Sequence, residues 1–432
     1  MEQRVLLPLL VLYGILFGHS ASAETGSFYV LGSDGIYVID PVAKSVVAKI
    51  TNTTAPGLCT KSRYSRRDCT FTSACAVDDT VFVADGTGSS VHVIDIKTHK
   101  KIETIPTDPY PYGLHCLLWR NEVWVHSWNL STFDVIAIKS RVRTHKAVQA
   151  HVKPGFTHGI MVADEDMLKG NTAFVTHFSN PGIHELNLEG KSYTSFRNFT
   201  KYGCTGTYGI AYNPYNKHIY VDCQIYYKKI SILELDTVND RTKMWSFPGF
   251  PFVSPDGRYV VFLYRTKNTS QMNILAASKT GFNANHYPEL RIPGGVSHAV
   301  FYSKGKTSEG YYVFLTLDYA NKMAIVDLDL AKNGNISDVK YIEDVDFIDK
   351  RSHGTSRDSF IAGHWIISPA TKEKTVVIIN AETQKIHGKV SDVNGGGFAV
   401  WVPDPITAGG ASAIGRPSCF ISLFFLFVCL HL

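Results

Sequence analysis

The sequence has few charges and none of the short motifs that mark common catalytic sites. Only 19% of its 432 residues are charged, and the formal net charge is +5, with the basic residues scattered along the chain. This distribution excludes the dense basic stripe that nucleic-acid-binding domains use, so no nucleic-acid partner is expected. A glycine-rich phosphate loop, a Gly-x-Ser-x-Gly elbow, a His-Glu-x-x-His pair and a Cys-x-x-Cys pair are all absent. Function therefore has to be inferred from fold and compartment.

Glycine, aromatic residues and alternating apolar positions are plentiful. The chain has 34 Gly, 22 Tyr and 24 Phe, which is ample material for one large all-β domain. Between Val81 and Gly113, apolar residues alternate with polar ones three times in succession, with polar turns between the runs. This two-residue period is that of a half-buried strand. The segment VFVADGTGSSVHVIDIKTHKKIETIPTDPYPYG therefore predicts three strands of one antiparallel sheet.

This segment resembles the repeats of the YVTN family of β-propellers. VFVAD corresponds to the family's YVTN-like strand, VHVIDIKT to its VxVID strand and the following turn, and IETIPTD to its third strand. The resemblance implies a propeller of four-stranded antiparallel blades. Such rings bind and scaffold far more often than they catalyse.

The same strand pattern recurs about every 40 to 55 residues, as expected for propeller blades. Its copies begin at Phe28, Val81, Val123, Ala173, Ile219, Tyr259, Tyr312 and Trp365. The first copy lacks an inner strand, whereas Gly397 to Val402 is an inner-strand pattern with no blade after it. Pairing these ends would close a ring of eight blades and remove two free sheet edges. Seven blades are the alternative, because Val253 to Ala276 and Arg357 to Ile379 match the repeat less well.

The first 23 residues have the layout of a secretory signal peptide. Arg4 precedes an apolar run from Val5 to Phe17, and Ala21-Ser22-Ala23 provides a small-residue cleavage site. The apolar run is shorter than the roughly 20 residues that a membrane-spanning helix needs, which argues against a retained signal anchor. We therefore assign residues 1–23 to the signal peptide and residues 24–405 to the propeller.

The other end resembles an attachment signal for a glycosylphosphatidylinositol (GPI) anchor. Small residues at Gly409 and Gly410 are the predicted attachment sites, and they are followed by a spacer and the apolar run Cys419 to Leu432. Residues 406–418 form the attachment segment and residues 419–432 the tail that is removed. The tail is too short to span a membrane as a helix. A tail-anchored or simply secreted protein is the alternative.

The cysteines point to an oxidising compartment. Outside the removed tail there are six, namely Cys59, Cys69, Cys75, Cys116, Cys204 and Cys223. An even number in a secreted chain predicts three disulfides. Cys204 and Cys223 lie symmetrically about the Asn213-Pro214 turn of a predicted hairpin, so we expect them to bond across neighbouring strands. The pairings Cys59 with Cys69 and Cys75 with Cys116 are assigned without such support.

Sequons for N-glycosylation support the same compartment. They lie at Asn52, Asn129, Asn198, Asn268 and Asn335, all in predicted turns or loops. An acceptor asparagine has to be exposed, as residues in turns are. The sequence therefore predicts a glycoprotein.

Histidine recurs in front of three predicted inner strands. His158, His298 and His353 occupy positions close to the expected central channel, and imidazole is a common ligand of divalent metals. The equivalent positions of other blades carry Tyr112, Tyr208 and Phe250, which favours a slot for any flat ring that packs between blades. No cofactor is predicted. A divalent metal on the three histidines is the alternative.

Together these patterns predict a secreted or cell-surface glycoprotein that binds an extracellular protein or glycan without catalysis. It would be held on the outer face of the cell membrane by its lipid anchor, or deposited in an extracellular matrix, including a mineralised one. The alternative is a metal-dependent enzyme, similar to propeller lactonases or oxidoreductases, that uses His158, His298 and His353 in the channel. That analogy is one of fold only.

Overall fold

The computed structural model describes residues 25–61, 68–128, 130–150, 159–178, 180–224, 231–266, 269–305, 310–318, 320–332, 339–347, 358–370 and 372–404. The predicted signal peptide, the attachment segment and the apolar tail lie outside these ranges. The regular secondary structure of the described residues is almost entirely β-strand. One short helix, α1 (Leu328–Lys332), and 3₁₀ turns at Leu118–Arg120, Met167–Gly170 and Thr200–Tyr202 accompany the strands.

The strands are short and follow one another closely along the chain. The first half comprises β1 (Gly26–Leu31), β2 (Ile36–Asp40), β3 (Ser45–Ile50), β4 (Phe71–Val77), β5 (Thr80–Asp85), β6 (Ser90–Asp95), β7 (Lys100–Pro106), β8 (Pro111–Leu117), β9 (Glu122–Ser127), β10 (Phe133–Ala137), β11 (Arg143–Val148), β12 (Met161–Ala163), β13 (Thr172–Thr176), β14 (Gly182–Asn187), β15 (Ser192–Asn198) and β16 (Gly206–Asn213). The second half comprises β17 (His218–Gln224), β18 (Ser231–Asp236), β19 (Arg241–Trp245), β20 (Phe250–Val253), β21 (Tyr259–Tyr264), β22 (Thr269–Ala276), β23 (Asn285–His286), β24 (Leu290–Pro293), β25 (Val296–Ser303), β26 (Tyr311–Leu317), β27 (Lys322–Asp327), β28 (Lys340–Glu343), β29 (Phe360–Ala362), β30 (Trp365–Ala370), β31 (Thr375–Asn380), β32 (Lys385–Val390) and β33 (Phe398–Pro403).

Within the described residues these strands form eight antiparallel sheets, which are the blades of a β-propeller. The first blade contains β33 and β1–β3, and the others are β4–β7, β8–β11, β12–β15, β16–β19, β20–β24, β25–β28 and β29–β32 in chain order. First strands of adjacent blades contact one another, so they line the channel. Fourth strands such as β7 alternate exposed and half-buried residues, as expected for the rim. The prediction of eight blades is confirmed.

The ring closes by pairing its two ends. β33 runs antiparallel to β1, with Gly26 opposite Pro403 and Leu31 opposite Phe398. The chain therefore starts with the second strand of the first blade and supplies its first strand last. This is the predicted closure, and it leaves neither strand as a free sheet edge.

The core lies between the blades, because each sheet packs both of its faces against neighbouring sheets. Every residue of β5, the second strand of its blade, is buried. Strands buried on both faces do not need a polar side and become continuously apolar. This explains why second and third strands such as YVVFLY in β21 lack the alternation that marks the outer strands.

The sixth blade departs from the repeat in its outer strand. β23 and β24 both pair with β22, where an ordinary blade has one fourth strand. Pro288 lies between them. Because proline has no N–H to donate to the ladder, it interrupts the strand.

The structure joins the six cysteines in the three predicted pairs, Cys59–Cys69, Cys75–Cys116 and Cys204–Cys223. The second of these links β4 to β8 and so ties two adjacent blades together. Cys223 lies in β17, but Cys204 precedes β16 by two residues, so the expectation of two strand positions is correct for one partner only. Cys204 still lies next to Cys223, because the N–H of Thr205 donates to the carbonyl of Gln224 and Gly206 pairs with Gln224 in the sheet.

The two ends of the blades form two faces of the ring. Strands within a blade alternate in direction, so connections from first to second and from third to fourth strand share one face, which we call the base face. Connections from second to third strand and between blades share the opposite one, the mouth face. The N–H of Asp404, after β33, donates to the carbonyl of Thr25, before β1, at 2.9 Å. Both ends of the described ring therefore lie on the base face.

Among the residues described, no helix has the length and apolar character needed to cross a membrane.

Candidate binding site at the channel mouth

The connection into β8 is held in an unusual backbone conformation. Ser127 Oγ donates to the carbonyl of Pro109 at 2.7 Å, and the N–H of Trp128 donates to the carbonyl of Tyr110 at 3.0 Å. Between these bonds Tyr110 has a φ of 56°. That left-handed conformation is strained for a bulky residue and is disfavoured before a proline, here Pro111. Such strain persists only where surrounding bonds impose it, and it clusters at functional sites.

The strained conformation projects the Tyr110 ring onto the mouth face, over the backbone of Gly86. A Cβ atom at Gly86 would lie 3.2 Å from the ring and 3.0 Å from Thr72 Cγ2, so a larger residue would require one of these side chains to shift. The Tyr110 side chain is 38% exposed in spite of it. The loop thus holds an aromatic ring in place while leaving part of it open to solvent.

Tyr110 belongs to a group of aromatic side chains from three blades, which we call the aromatic mouth: Tyr110, Tyr112, Trp128, Phe178 and Tyr208. Trp128 meets Tyr112 edge to face at 4.4 Å and Tyr110 at 6.1 Å between ring centroids. Phe178 meets Tyr208 at 6.0 Å, and the hydroxyls of Tyr112 and Tyr208 are hydrogen-bonded at 2.7 Å. Edge-to-face pairs of this kind favour a fixed arrangement of rings. The result is a rigid aromatic surface that spans blades three to five.

A buried carboxylate lies beneath the aromatic mouth. Asp222 Oδ1 accepts the N–H groups of Tyr208 at 2.6 Å and of Gly209 at 2.9 Å. Burial raises the pKa of Asp222 to about 7, although these two hydrogen bonds act in the opposite direction. Burial also raises the pKa of Tyr208 well above its usual range, and its bond to Tyr112 and the nearby Asp222 and Asp358 add to this. A buried acid with a pKa near neutral pH therefore lies directly beneath the aromatic mouth.

Asp222 should make the stability of the fold depend on pH. The pKa of Asp222 is about 7 in the folded chain, compared with 3.8 for an ordinary aspartate. Between these pH values the folded chain binds more protons than the unfolded chain, so the free energy of unfolding decreases as pH rises from about 4 to about 7. A difference of about three pH units corresponds to about 4 kcal/mol. We expect Asp222→Asn, which keeps an acceptor oxygen, to lose this dependence. Urea unfolding of both proteins at pH 4.5 and pH 8 measures it, and parallel changes in the two would contradict the assignment.

The predicted histidine site is described only in part. His298 lies within β25, not in front of it, and is buried against the rings of Phe252 at 5.2 Å and Phe360 at 6.4 Å. Burial lowers the pKa of His298, and the charge of Asp358 opposes this. His158 and His353 lie outside the described residues. The ring contacts favour the interpretation as a packing slot, and the metal interpretation stays a prediction.

The slot positions of other blades behave as the packing interpretation expects. Tyr112, Tyr208 and Phe250 all lie at the start of first strands, on β8, β16 and β20. Phe250 packs against Phe252 at 5.3 Å, in the same layer of rings that receives His298. Rings from the first strands of several blades therefore lie at the mouth end of the channel.

One group that could hold a cation was not apparent from the sequence. Asp108, Asp134 and His145 place one ligand atom each within 4.8 Å of one another. Protein donors already occupy this group: Asp134 accepts the N–H of Asp108 at 2.8 Å and of Lys146 at 2.6 Å, and Thr132 Oγ1 donates to Asp108 at 2.5 Å. A divalent metal bound here would share the two carboxylates with these donors, since each carboxylate oxygen has two lone pairs. The group also fixes the start of the strained loop that carries Tyr110.

Three buried histidines on the mouth side were also missed. His126 stacks on Phe133 at 4.4 Å, and His177 meets His184 at 5.1 Å. His126 and His177 lie at the mouth ends of the equivalent second strands β9 and β13, at the spacing of the blade repeat, and His184 lies in the following strand β14. Their rings extend the aromatic layer outward between blades three and four.

No known protein-family model matches the sequence, so the resemblance to YVTN repeats stays a prediction. Among solved structures, the chain is similar to apo AztD from Citrobacter koseri, with 13% identity, a TM-score of 0.57 and coverage of 88% of this chain and 98% of that one. It is also similar to hydrazine synthase of Kuenenia stuttgartiensis, with 14% identity, a TM-score of 0.50 and coverage of 70% and 92%. A third similar structure is the dihydro-heme d1 dehydrogenase NirN in complex with DHE, with 13% identity, a TM-score of 0.52 and coverage of 72% of this chain and 63% of that one. At such identities the likeness shows the shared propeller fold alone.

Proposed function

We propose that the protein is a non-enzymatic binding propeller, displayed outside the cell, that captures a partner protein at the aromatic mouth. The observation that carries this proposal is the exposure of the mouth: Tyr110 is 38% and Phe178 is 40% exposed although rigid neighbours hold both. Tyrosine and tryptophan dominate the binding energy of protein interfaces because they bury a large area at little entropic cost. Pre-organised rings on a rigid ring-shaped scaffold therefore suit a protein ligand.

The extracellular location is supported by the disulfides and by two sequons. Three disulfides form among the described residues, and such bonds persist in oxidising compartments. Asn52 and Asn198 are both exposed. Asn198 accepts the N–H of Thr200 through its Oδ1 at 2.8 Å, while Asn52 also donates from Nδ2 to the carbonyl of Cys59 at 3.0 Å. We therefore propose Asn198 as the more accessible glycosylation site. Asn129, Asn268 and Asn335 lie outside the described residues.

The proposed mode of display is a GPI anchor at Gly409 or Gly410, after removal of the signal peptide 1–23 and of the tail 419–432. Secretion into a matrix is the other form of the proposal. Treatment of intact cells with phosphatidylinositol-specific phospholipase distinguishes them, since it releases a GPI-anchored protein from the cell surface but does not change the location of a secreted one. A tail-anchored protein would stay on the membrane. Recovery of a membrane-bound chain that still contains Phe424 would contradict the anchor.

Binding at the aromatic mouth is tested by replacing its two most exposed aromatic side chains. The double variant Tyr110→Ala, Phe178→Ala should lose at least tenfold in affinity for a captured partner, because truncating a central aromatic at an interface typically costs about 2 kcal/mol or more. The measurement is crosslinking capture from cell surfaces and matrix, followed by titration of the partner obtained. Thermal melting establishes that the variant folds.

Val47→Ala is the matched control, because Val47 is also an exposed apolar residue, 51% accessible, but lies on the outer strand β3. It should capture the same partner with unchanged affinity. Equal capture by the mouth variant would refute the proposed site. Recovery of a glycan as the sole ligand would refute a protein partner and leave the site in place.

A further inference from the structure

The base face carries an unusual share of exposed apolar side chains. Val42, Val142 and Val238 are the most exposed large apolar residues among those described, at 62 to 67%. All three lie in connections between third and fourth strands, after β2, β10 and β18. Turns are ordinarily built from polar residues and glycine. Three blades therefore present apolar tips on the same side of the ring.

A second group of exposed apolar side chains lies on the same face, in the first-to-second connections of blades three and four. Leu118, Trp119 and Leu168 are each 37 to 40% exposed. Trp119 Nε1 donates to the carbonyl of Gly170 at 2.9 Å, which fixes the indole against the neighbouring connection. We call Leu118, Trp119 and Leu168 the base cluster.

The backbone holds Leu168 outward. Leu168 and Lys169 have φ values of 43° and 66°, both in the left-handed region that residues with side chains avoid. The preceding Met167 is buried, so this connection anchors one apolar side chain in the core and directs the next away from it. Leu168 is therefore left 40% exposed on the base face.

The chain also leaves the ring on this face. Asp404 is bonded to Thr25 at the base face, and the proposed attachment site Gly409 follows five residues later. Five residues span at most ~18 Å when fully extended. If a GPI anchor is attached there, only these five residues and the glycan of the anchor separate the base face from the bilayer. The aromatic mouth, on the opposite face, is then directed away from the cell.

We infer that the base face lies on the outer leaflet and that the base cluster inserts into the lipid interface. The inference rests on the proposed lipid anchor for the proximity, and on the cluster itself for the contact. Tryptophan prefers the interfacial region of a bilayer, and leucine adds buried apolar area. The occupant of this surface is therefore lipid, and the ring is oriented with its binding site toward the extracellular space.

Quenching by brominated lipid tests the contact directly. Full-length protein purified from cells is reconstituted into vesicles of phosphatidylcholine and cholesterol, with or without dibrominated phosphatidylcholine. Tryptophan fluorescence should fall in the brominated vesicles, and Trp119→Phe should remove at least half of that quenching. Trp128→Phe removes a tryptophan of the mouth face and should leave the quenching intact. Equal quenching in the two variants, or none in the native protein, would overturn the orientation.

A second variant separates the contact from the anchor. Leu168→Asp should reduce quenching at Trp119 at least twofold and leave release by phospholipase unchanged, whereas Val47→Asp on the outer strand should change neither. Release by phospholipase without tryptophan quenching would refute the proposed orientation and support the anchor. Quenching without release would support the orientation and refute the anchor. A secreted native protein that neither binds the vesicles nor shows quenching would refute both.

Discussion

Deleting residues 398–403 is expected to abolish folding of the whole ring. The deletion removes β33, which pairs with all six residues of β1, and so leaves the first blade with three strands. It also removes the buried side chains of Phe398, Ala399 and Val402 and exposes those of β1 that they cover. Burial of a large apolar side chain contributes about 1.5 to 3 kcal/mol. The combined loss approaches the 5 to 15 kcal/mol by which a domain is typically stable.

The measurement is the yield of secreted protein together with its cooperative unfolding in urea. The control moves residues 398–404 to a position directly before Thr25. Since Asp404 already contacts Thr25, this rearrangement makes the first blade continuous in sequence while keeping every residue. It should restore a folded protein that unfolds at lower urea, because the ring is no longer closed by the chain itself. Normal secretion and unchanged unfolding of the deletion variant would show that closure by β33 is dispensable.

The sequence predicted this closure because strands obey a simple period. The segment at Phe398 has the pattern of an inner strand but no blade follows it, and the blade at Phe28 lacks an inner strand. Only pairing these two segments leaves neither with a free sheet edge. The number of blades followed from the repeat, including the sixth, where Pro288 disturbs only the outermost strand. The number of disulfides followed from compartment and count, and the predicted hairpin gave the Cys204–Cys223 pair, whereas the other two pairings had no such support. The closure, the number of blades and this one pair depend on local pattern.

The aromatic mouth depends on long-range contacts and was therefore missed as a site. Tyr112 and Tyr208 were recognised only as occupants of a packing slot, although they are hydrogen-bonded to each other across 96 residues of sequence. Nothing in the local sequence shows that Tyr110 is held at a φ of 56°, because bonds from Ser127 and Trp128 impose it. A bulky residue between two prolines, Pro109 and Pro111, is the one signal that pointed to an unusual loop.

Replacing Glu234 with alanine is expected to cost about 3 to 5 kcal/mol, since it leaves buried donors without an acceptor. Glu234 is fully buried in the third strand of the fifth blade. Its carboxylate accepts from His218 Nδ1 at 2.8 Å, Tyr220 Oη at 3.0 Å and Trp245 Nε1 at 2.9 Å. Their three strands, β17, β18 and β19, are thereby joined through one side chain. No repeat motif identified this network, because its members come from different strands of the blade.

The matched control is Glu185, which is also the fourth residue of a six-residue third strand, β14 in the fourth blade. It is only half-buried and its Oε2 accepts one bond from Ser195 at 2.9 Å, so Glu185→Ala should cost less than about 1 kcal/mol. Glu234→Gln should fall between the two, because the amide keeps one acceptor oxygen but turns its NH₂ toward a donor. Urea unfolding of the three variants gives the order. If Glu234→Ala proves no more destabilising than Glu185→Ala, the buried carboxylate does not hold the blade together, and apolar packing between blades must account for its stability.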